Sequence, residues 1–261
     1  MTRDIIRTER IGPVTVIHLQ DDRALNALGS ALVAGLADAL EHAQQDPEVR
    51  AVVITGSDRA FCAGAHIPEV LALREALTAD PDAEVYLDRL FDLLAASPQP
   101  VIAAVRGLAL GGGCELALAC DLVVAGESAS FGLPEVRLGV IPGAGGTQRL
   151  VHAIGKAKAT RMLMTGESVD AAWAESAGLV AEVAADEDVV ARAVDIARRA
   201  ADNAPGAVRL AVDCARRAQD LSLTDGLAHE RRAFLEALAS DDAAEGMSAF
   251  AQKRRPVFGS R

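Results

Sequence analysis

Short β-branched segments alternate with amphipathic helical segments in the first half of this chain, and this order constrains the fold more than any other feature. Val14–Leu19 has the composition of a strand. Leucines at every fourth position from Leu28 to Leu40 predict a helix over 29–45. Ala51–Thr55 then predicts a buried strand. A strand–helix–strand order favours an α/β fold with right-handed crossover connections.

The same patterns assign elements to the rest of the chain. Further strands are predicted over 101–105, 121–125 and 179–183. Helices are predicted over 68–78, 83–96, 112–119, 145–153, 156–164, 170–177, 186–201, 205–219, 224–239 and 241–252. Because the pattern after Thr147 is almost wholly helical, we expect an α/β core over residues 1–200 and a helical region over 201–261. That region is expected to pack on the core or on a neighbouring subunit.

The charge and composition disfavour several classes of protein. The chain has 26 Lys and Arg against 37 Asp and Glu, a formal net charge of -11, so it repels phosphate backbones and anionic membrane surfaces. Aromatic residues make up only 3%, which leaves few rings to stack on bases. No apolar run approaches the ~20 residues of a membrane span, and the first residues lack the apolar core of a secretion signal. We therefore expect a soluble cytoplasmic protein with no nucleic-acid or membrane partner.

Neither a metal site nor a bound redox cofactor is predicted. The four cysteines form no C-x-x-C pair, and the five histidines are scattered. The glycine cluster over 107–113 lacks the G-x-G-x-x-G spacing of a dinucleotide site. The chain contains no P-loop and no G-x-S-x-G nucleophile motif.

Two glycine-containing loops are candidates for binding a negatively charged oxygen. The glycine cluster leads from a predicted strand into a predicted helix, whose first N–H groups have no intrahelical acceptor. A second loop surrounds Gly64 and Ala65. An oxyanion hole needs two N–H donors aimed at one developing charge, and these loops could supply one each. The alternative interpretation is that both are only tight turns.

Glu115 and Glu135 are the candidate acid–base residues. Glu115 lies in the first turn of the helix after the glycine cluster, among apolar neighbours, which predicts partial burial. Glu135 follows the turn 131–134. Two carboxyl groups in one site can divide the acid and base roles once their surroundings separate their pKa values. Spacing alone leaves open that either is an ordinary surface carboxylate.

Further motifs are distributed over nearly the whole chain. They are A-L-N-A-L at 24–28, F-C-A-G-A at 61–65, P-V-I-A-A-V at 100–105, G-G-G-C-E-L at 111–116, F-G at 131–132, P-E at 134–135, L-G-V-I-P-G-A-G-G-T-Q-R-L at 138–150 and E-G-M-S-A-F at 245–250. In this order they resemble the enoyl-CoA hydratase/isomerase (crotonase) superfamily. The resemblance implies an α/β fold with a core of repeated ββα units and a C-terminal all-helical trimerisation region. It also implies a homotrimer or a dimer of trimers.

The resemblance implies enoyl-CoA hydratase activity, the reversible addition of water to a 2-trans-enoyl-CoA to give a 3-hydroxyacyl-CoA. The backbone N–H groups of Ala65 and Gly112 would bind the thioester carbonyl oxygen. Glu115 would activate water to attack C3, and Glu135 would deliver a proton to C2. CoA is part of the substrate, so no separate cofactor is implied.

Further residues are assigned to the acyl-CoA substrate by the resemblance. Gly143 would place the water or the substrate through its backbone, and Lys253 would reach the CoA phosphates of a neighbouring subunit. The other expected contacts are Arg23, Ala24, Ala63, Ala65, His66, Ile67, Gly111, Gly112, Leu133, Pro134 and Phe250.

Three positions depart from the common hydratase pattern. His66 replaces a frequent acidic residue and Pro68 a frequent lysine, which alters the expected contacts with the CoA phosphates. Leu133 replaces a frequent glutamine near the acyl end of the site. Because both glutamates are present, we favour a hydratase over an isomerase, which often keeps only the second acid. The alternatives are an isomerase, a hydratase for branched or aromatic acyl groups, a non-catalytic acyl-CoA-binding paralogue, and RNA binding, which the charge disfavours.

Overall fold

The computed structural model describes residues 5–80 and 86–259, which form two β-sheets with surrounding helices. The strands are β1 (Ile6–Ile11), β2 (Val14–Leu19), β3 (Ala51–Thr55), β4 (Ala60–Cys62), β5 (Val101–Val105), β6 (Leu108–Leu110), β7 (Leu122–Gly126), β8 (Ser130–Gly132), β9 (Ser168–Asp170) and β10 (Glu182–Ala184). The larger sheet has the order β1-β2-β3-β5-β7-β10, and the smaller has the order β4-β6-β8-β9. The pairs β1–β2 and β8–β9 are antiparallel, and the other neighbours are parallel.

The helices account for most of the remaining described chain. They are α1 (Ser30–Gln45), α2 (Ile67–Ala79), α3 (Asp88–Ala95), α4 (Gly112–Ala119), α5 (Gly146–Ile154), α6 (Lys156–Thr165), α7 (Ala171–Ala177), α8 (Val189–Ala201), α9 (Pro205–Arg217), α10 (Leu223–Leu238) and α11 (Asp241–Ala251), with a 3-10 helix at Pro134–Leu138. The helix predicted over 83–96 corresponds to α3, which begins at Asp88 and ends at Ala95. Positions 83–85 of the prediction lie outside the described residues. Among the described helices, none combines the length and apolar character needed to cross a bilayer.

A repeated unit relates the two sheets. Each of β3, β5 and β7 in the larger sheet is followed directly by β4, β6 or β8 in the smaller one, and a helix comes next. The helices in these places are α2, α4 and the 3-10 helix. The predicted α/β class with repeated ββα units and a C-terminal helical region is therefore confirmed. The repeat brings the C-terminal ends of β4, β6 and β8 to one edge of the smaller sheet, since these strands are parallel neighbours.

The core occupies both faces of the larger sheet. Side chains alternate between the faces along each strand, so Val52 and Ile54 of β3 pack in one buried cluster while Val53 packs in the other. The cluster containing Val53 is covered by α8, and the other by α1 and α4. Because helices cover both faces, the central strands are apolar throughout rather than alternating in polarity.

The strand predicted over 179–183 begins three residues later in the structure and ends one residue later. The structure places β10 at Glu182–Ala184, and Leu179 and Val180 lie before it. The N–H groups of these two residues donate to the Ala174 carbonyl at 2.9 and 3.3 Å, so they close the end of α7 instead of joining the sheet. Their apolar character reflects burial and not strand geometry.

The C-terminal helices are fastened to the core by a few polar contacts. Arg216 of α9 donates from Nε and Nη2 to the two carboxylate oxygens of Asp121, at 2.7 and 2.9 Å. Within the C-terminal region, Arg254 makes a bidentate contact with Glu245 of α11 at 2.6 and 2.7 Å, which holds the segment after α11 against that helix. Arg50 of the core donates to the Phe258 carbonyl at 3.0 Å, which ties the end of the described chain to the large sheet. The domain boundary near residue 200 stays a prediction.

Candidate active site

Three loops meet at the C-terminal edge of the smaller sheet. They follow β4, β6 and β8 and carry Gly64, Gly111 and Leu133, respectively. The Gly111 N–H donates to the Gly132 carbonyl at 2.8 Å, which ties the second loop to the third. Gly111 has φ +53°, and a Cβ there would lie 2.9 Å from Oε1 of Glu135. A residue with a side chain at 111 would therefore be both strained and in conflict with Glu135.

The two predicted oxyanion donors are close neighbours. A Cβ built on Gly112 would lie 3.7 Å from the backbone nitrogen of Ala65. Among the described residues, neither the Ala65 N–H nor the Gly112 N–H has a hydrogen-bond acceptor. The Gly112 N–H belongs to the first turn of α4, where no intrahelical acceptor exists. The pair can therefore donate to an oxygen of a bound molecule.

Asn26 holds the loop that carries Ala65, and the sequence analysis gave it no role. Its completely buried amide donates to the carbonyls of Ala60 and Phe61, at 3.0 and 3.1 Å. Its own backbone is left-handed, with φ +55°, a conformation that Asn tolerates better than most residues. The turn leads to Leu28, whose N–H donates to the Gly64 carbonyl at 2.7 Å. Asn26 thus fixes one side of the loop that carries Ala65.

Glu115 is buried in α4, with 3% of its surface exposed. Its Oε1 accepts the N–H groups of Ala144, at 2.8 Å, and Gly146, at 2.7 Å. Oε2 has no hydrogen-bond partner among the described residues. Burial raises the pKa of Glu115, and these two N–H groups together with the charge of Arg149 oppose that rise. One carboxylate oxygen is held and the other remains able to accept a proton.

Glu135 is half-buried in the 3-10 helix that follows the third loop. Its Oε2 is buried and has no hydrogen-bond partner in the described part of the chain. Burial raises the pKa of Glu135, and the negative charge of Glu115 raises it further. Burial also raises the pKa of the Cys114 thiol to about 12, with contributions from the charges of both glutamates. The two carboxyl groups therefore share one region, and both hold protons more tightly than ordinary glutamates.

The remaining predicted residues are spread around this centre. Ala63, His66 and Gly111 lie in the three loops, Ile67 begins α2, and Pro134 begins the 3-10 helix. Arg23 and Ala24 lie in the turn that follows β2. Gly143 is exposed in the loop that also supplies the Ala144 N–H. Leu133 is completely buried in the core, so the structure does not place its side chain on an accessible wall of the site. Phe250 and Lys253 are exposed at the end of α11, and the structure shows no contact between them and either glutamate.

Polar contacts hold α2 over the first loop, and the sequence analysis did not identify them. None of the described side chains of α2 is buried. Glu69 of α2 accepts the Ser30 N–H at 2.7 Å at the start of α1, and it lies 3.3 Å from Nδ1 of His66. The Tyr86 hydroxyl donates to the Leu28 carbonyl at 2.9 Å. Helix α2, which lies beside the site, is thus attached mainly through hydrogen bonds rather than through core packing.

Among the described residues, no three His, Cys, Asp or Glu side chains are grouped as metal ligands. The four cysteines are free thiols. The described groups at this centre include two carboxyl groups and two N–H donors.

Comparisons with known proteins agree with this geometry. A model of the enoyl-CoA hydratase/isomerase family matches residues 9–261. A probable enoyl-CoA hydratase of Mycobacterium bovis is 45% identical over 263 residues, covering 100% of both chains. The 2,3-dehydroadipyl-CoA hydratase of Escherichia coli is 44% identical over 248 residues, covering 95% of this chain and 96% of its own. A crystal structure of an enoyl-CoA hydratase from Bacillus anthracis has a TM-score of 0.91 and 37% identity, covering 99% of this chain and 100% of that chain. The chain therefore belongs to the enoyl-CoA hydratase/isomerase (crotonase) family.

Proposed function

We propose that this protein catalyses the reversible addition of water to a 2-trans-enoyl-CoA, giving a 3-hydroxyacyl-CoA. The observation that carries the proposal is the convergence of two carboxyl groups with raised pKa values on a pair of unused backbone N–H donors. An enoyl thioester offers a carbonyl oxygen for the donors and a conjugated double bond for the carboxyl groups. Family membership makes an acyl-CoA the expected substrate class.

The N–H pair stabilises the charge that develops during the reaction. In the proposed complex, the Ala65 and Gly112 N–H groups bind the thioester oxygen. When water adds to C3, the electrons of the C2–C3 double bond move toward the carbonyl and that oxygen becomes an enolate oxygen. Preorganised donors act most strongly on such developing charge, and losing one such donor typically costs about 10²–10³ in rate.

The two glutamates divide the proton transfers. Glu115, as the carboxylate, takes a proton from the attacking water through Oε2, while its Oε1 stays fixed by the Ala144 and Gly146 N–H groups. Glu135, as the acid, donates its proton to C2. Burial and the negative charge of Glu115 raise its pKa, which favours the protonated form relative to an ordinary glutamate. In the dehydration direction the two roles are reversed.

The hydration reaction has a direct assay. Water addition removes the conjugation of the enoyl thioester, so the purified protein should lower the absorbance band of crotonyl-CoA until equilibrium is reached. A panel of enoyl-CoA esters of increasing length, together with 2,3-dehydroadipyl-CoA, would rank acyl preference. Binding of crotonyl-CoA with no loss of absorbance would support a non-catalytic acyl-CoA-binding protein instead. Migration of a double bond without hydration would support an isomerase.

The C-terminal helices support a proposed association of subunits. They expose large apolar side chains, which are Leu223, Leu227, Phe234, Leu235 and Leu238 on α10, and Met247 and Phe250 on α11. Phe250 is 87% exposed, which is unusual for an aromatic side chain on an unpartnered surface. We expect a homotrimer or a dimer of trimers, measurable by light scattering during size-exclusion chromatography. A monomer at micromolar concentration would contradict this. The cytoplasmic location stays a prediction.

A further inference from the structure

Arg149 lies next to the catalytic centre but outside the set of residues that the proposed reaction uses. It is half-buried on α5, and its guanidinium group lies 5.7 Å from the centroid of the Phe91 ring. Its Nη1 donates to the Ala144 carbonyl at 2.7 Å. Gly145 has φ +95°, and a Cβ there would collide with Nη1. The loop before α5 is therefore wrapped closely around the guanidinium group.

Ala144 connects this guanidinium group to Glu115. Its carbonyl accepts from Arg149, and its N–H donates to Oε1 of Glu115 at 2.8 Å. The Gly146 N–H donates to the same oxygen at 2.7 Å. These two contacts are made by the neighbouring peptide groups on either side of the Ala144 Cα, so both restrain the loop at this residue. Arg149 thus limits the movement of a loop that fixes one oxygen of Glu115.

The charge of Arg149 also acts on Glu115. Burial raises the pKa of Glu115, and the positive charge of Arg149 works against that rise together with the two N–H groups. The other ionisable groups near the pair are Glu135 in the 3-10 helix, Cys114 on α4, Cys120 and Asp121 just after α4, Arg216 on α9, and Asp88 and Asp92 on α3, which line the same cleft as Arg149. Burial opposes ionisation of Glu115, and the positive charge of Arg149 offsets part of that opposition.

We propose that Arg149 is a positioning residue for the hydration step, which holds the loop at Ala144 on Glu115 and places a positive charge beside that side chain. The proposal rests on the proposed function only where it concerns the rate. A purely structural role, in which Arg149 merely packs on Phe91, would affect folding stability without affecting the proton equilibrium of Glu115.

The test uses three variants of the full chain. Arg149→Met keeps the apolar stem and removes both the charge and the donor, and Arg149→Lys keeps the charge. Arg50→Met is the matched control, because Arg50 is also half-buried and donates to the backbone carbonyls of Ala201 and Phe258. If Arg149→Met fails to fold, Arg149→Gln replaces it. Each variant is measured by the pH dependence of kcat with crotonyl-CoA, and by a ¹³C NMR titration of the Glu115 carboxyl group, assigned with Glu115→Gln.

In Arg149→Met, we expect the Glu115 titration and the acidic limb of the kcat profile to move to higher pH. We also expect kcat to fall by about 10- to 100-fold at the optimum, the scale of a misplaced catalytic group, with a smaller change in KM. Arg149→Lys should keep the acidic limb near that of the wild type, and Arg50→Met should leave it unchanged.

Two results would overturn the inference. One is an unchanged Glu115 titration in Arg149→Met, whether or not kcat falls. The other is an equal displacement of that titration in Arg50→Met, which would indicate a general loss of packing. If the wild type does not hydrate crotonyl-CoA, the proposed function fails, and the NMR titration still decides whether Arg149 controls Glu115.

Discussion

The Gly146 N–H donates to Oε1 of Glu115 at 2.7 Å, and a Cβ at position 146 would lie 2.9 Å from Cγ of the same side chain. The Glu115 side chain therefore packs so closely against the start of α5 that an added carbon at position 146 would not fit. Gly146→Ala should displace Glu115, at a cost of about 1–3 kcal/mol in the free energy of unfolding. A displacement near 1 Å would lower kcat by up to about 10²-fold. Steady-state kinetics and urea unfolding measure both effects.

Gly226→Ala is the matched control for that change. A Cβ at Gly226, in the interior of α10, would meet no atom within 4 Å. Alanine should therefore stabilise the helix slightly and leave kcat unchanged. Equal kinetics for Gly146→Ala and the wild type would show that Glu115 does not need its present position.

Asn26→Ala should lower both stability and rate. It removes the donor to two buried carbonyls, at Ala60 and Phe61, at a cost of about 1–3 kcal/mol, and it frees the loop that holds Ala65. We expect a larger loss in kcat than in KM, because the oxyanion donor acts mainly in the transition state. Asn203→Ala is the control, since the Asn203 amide donates to the Arg199 carbonyl at an exposed helix end. A normal kcat in folded Asn26→Ala would contradict the assigned role.

The pH dependence of kcat/KM should be bell-shaped. The proposed mechanism requires Glu115 as the carboxylate and Glu135 as the acid, so we expect the rate to fall at low pH and again at high pH. Burial raises the pKa of both groups, and the charge of Glu115 further raises that of Glu135. Both limbs should therefore lie above the ~4.3 of an ordinary glutamate, as apparent values of the coupled pair. An acidic limb at or below that value would contradict the burial argument.

The stability of the protein should also depend on Glu115. Because its pKa is raised on folding, the folded chain keeps a proton that the unfolded chain releases near pH ~4.3. The free energy of unfolding therefore falls as pH rises from that point through the folded pKa. Glu115→Gln has no such proton, so its stability relative to the wild type should increase with pH across this window. Urea unfolding at several pH values measures the difference, and parallel curves would contradict the prediction.

Much of the larger sheet could be predicted from the sequence, and the smaller sheet could not. Val14–Leu19 and Val101–Val105 are long enough and sufficiently β-branched to indicate strands. The strands of the smaller sheet have three residues each, and Leu108–Leu110 lies inside what the sequence shows as a glycine-rich turn. Such short strands are stabilised by their neighbours, because three residues carry too little local preference.

The candidate site likewise has some features that the sequence predicts and others that depend on the tertiary fold. Composition around Glu115 correctly predicted its burial. Nothing local in the sequence predicts its nearness to Glu135, because that follows from β6 and β8 being parallel neighbours with their ends at one edge. The role of Asn26 has a weak local signal, as a polar residue among apolar ones before a predicted helix. The contact of Arg149 with Ala144 depends on how the loop folds back on α5, and the residue pattern alone does not indicate it.

In the proposed reaction, two carboxyl groups convert a bound enoyl thioester by acid–base catalysis. Measuring crotonyl-CoA hydration by Glu115→Gln and Glu135→Gln tests it most directly, with substrate binding measured alongside by calorimetry. We expect each variant to fold, to bind crotonyl-CoA nearly as the wild type does, and to lose about 10²–10⁴ in kcat. Either variant retaining most of the wild-type rate would contradict the two-carboxylate mechanism.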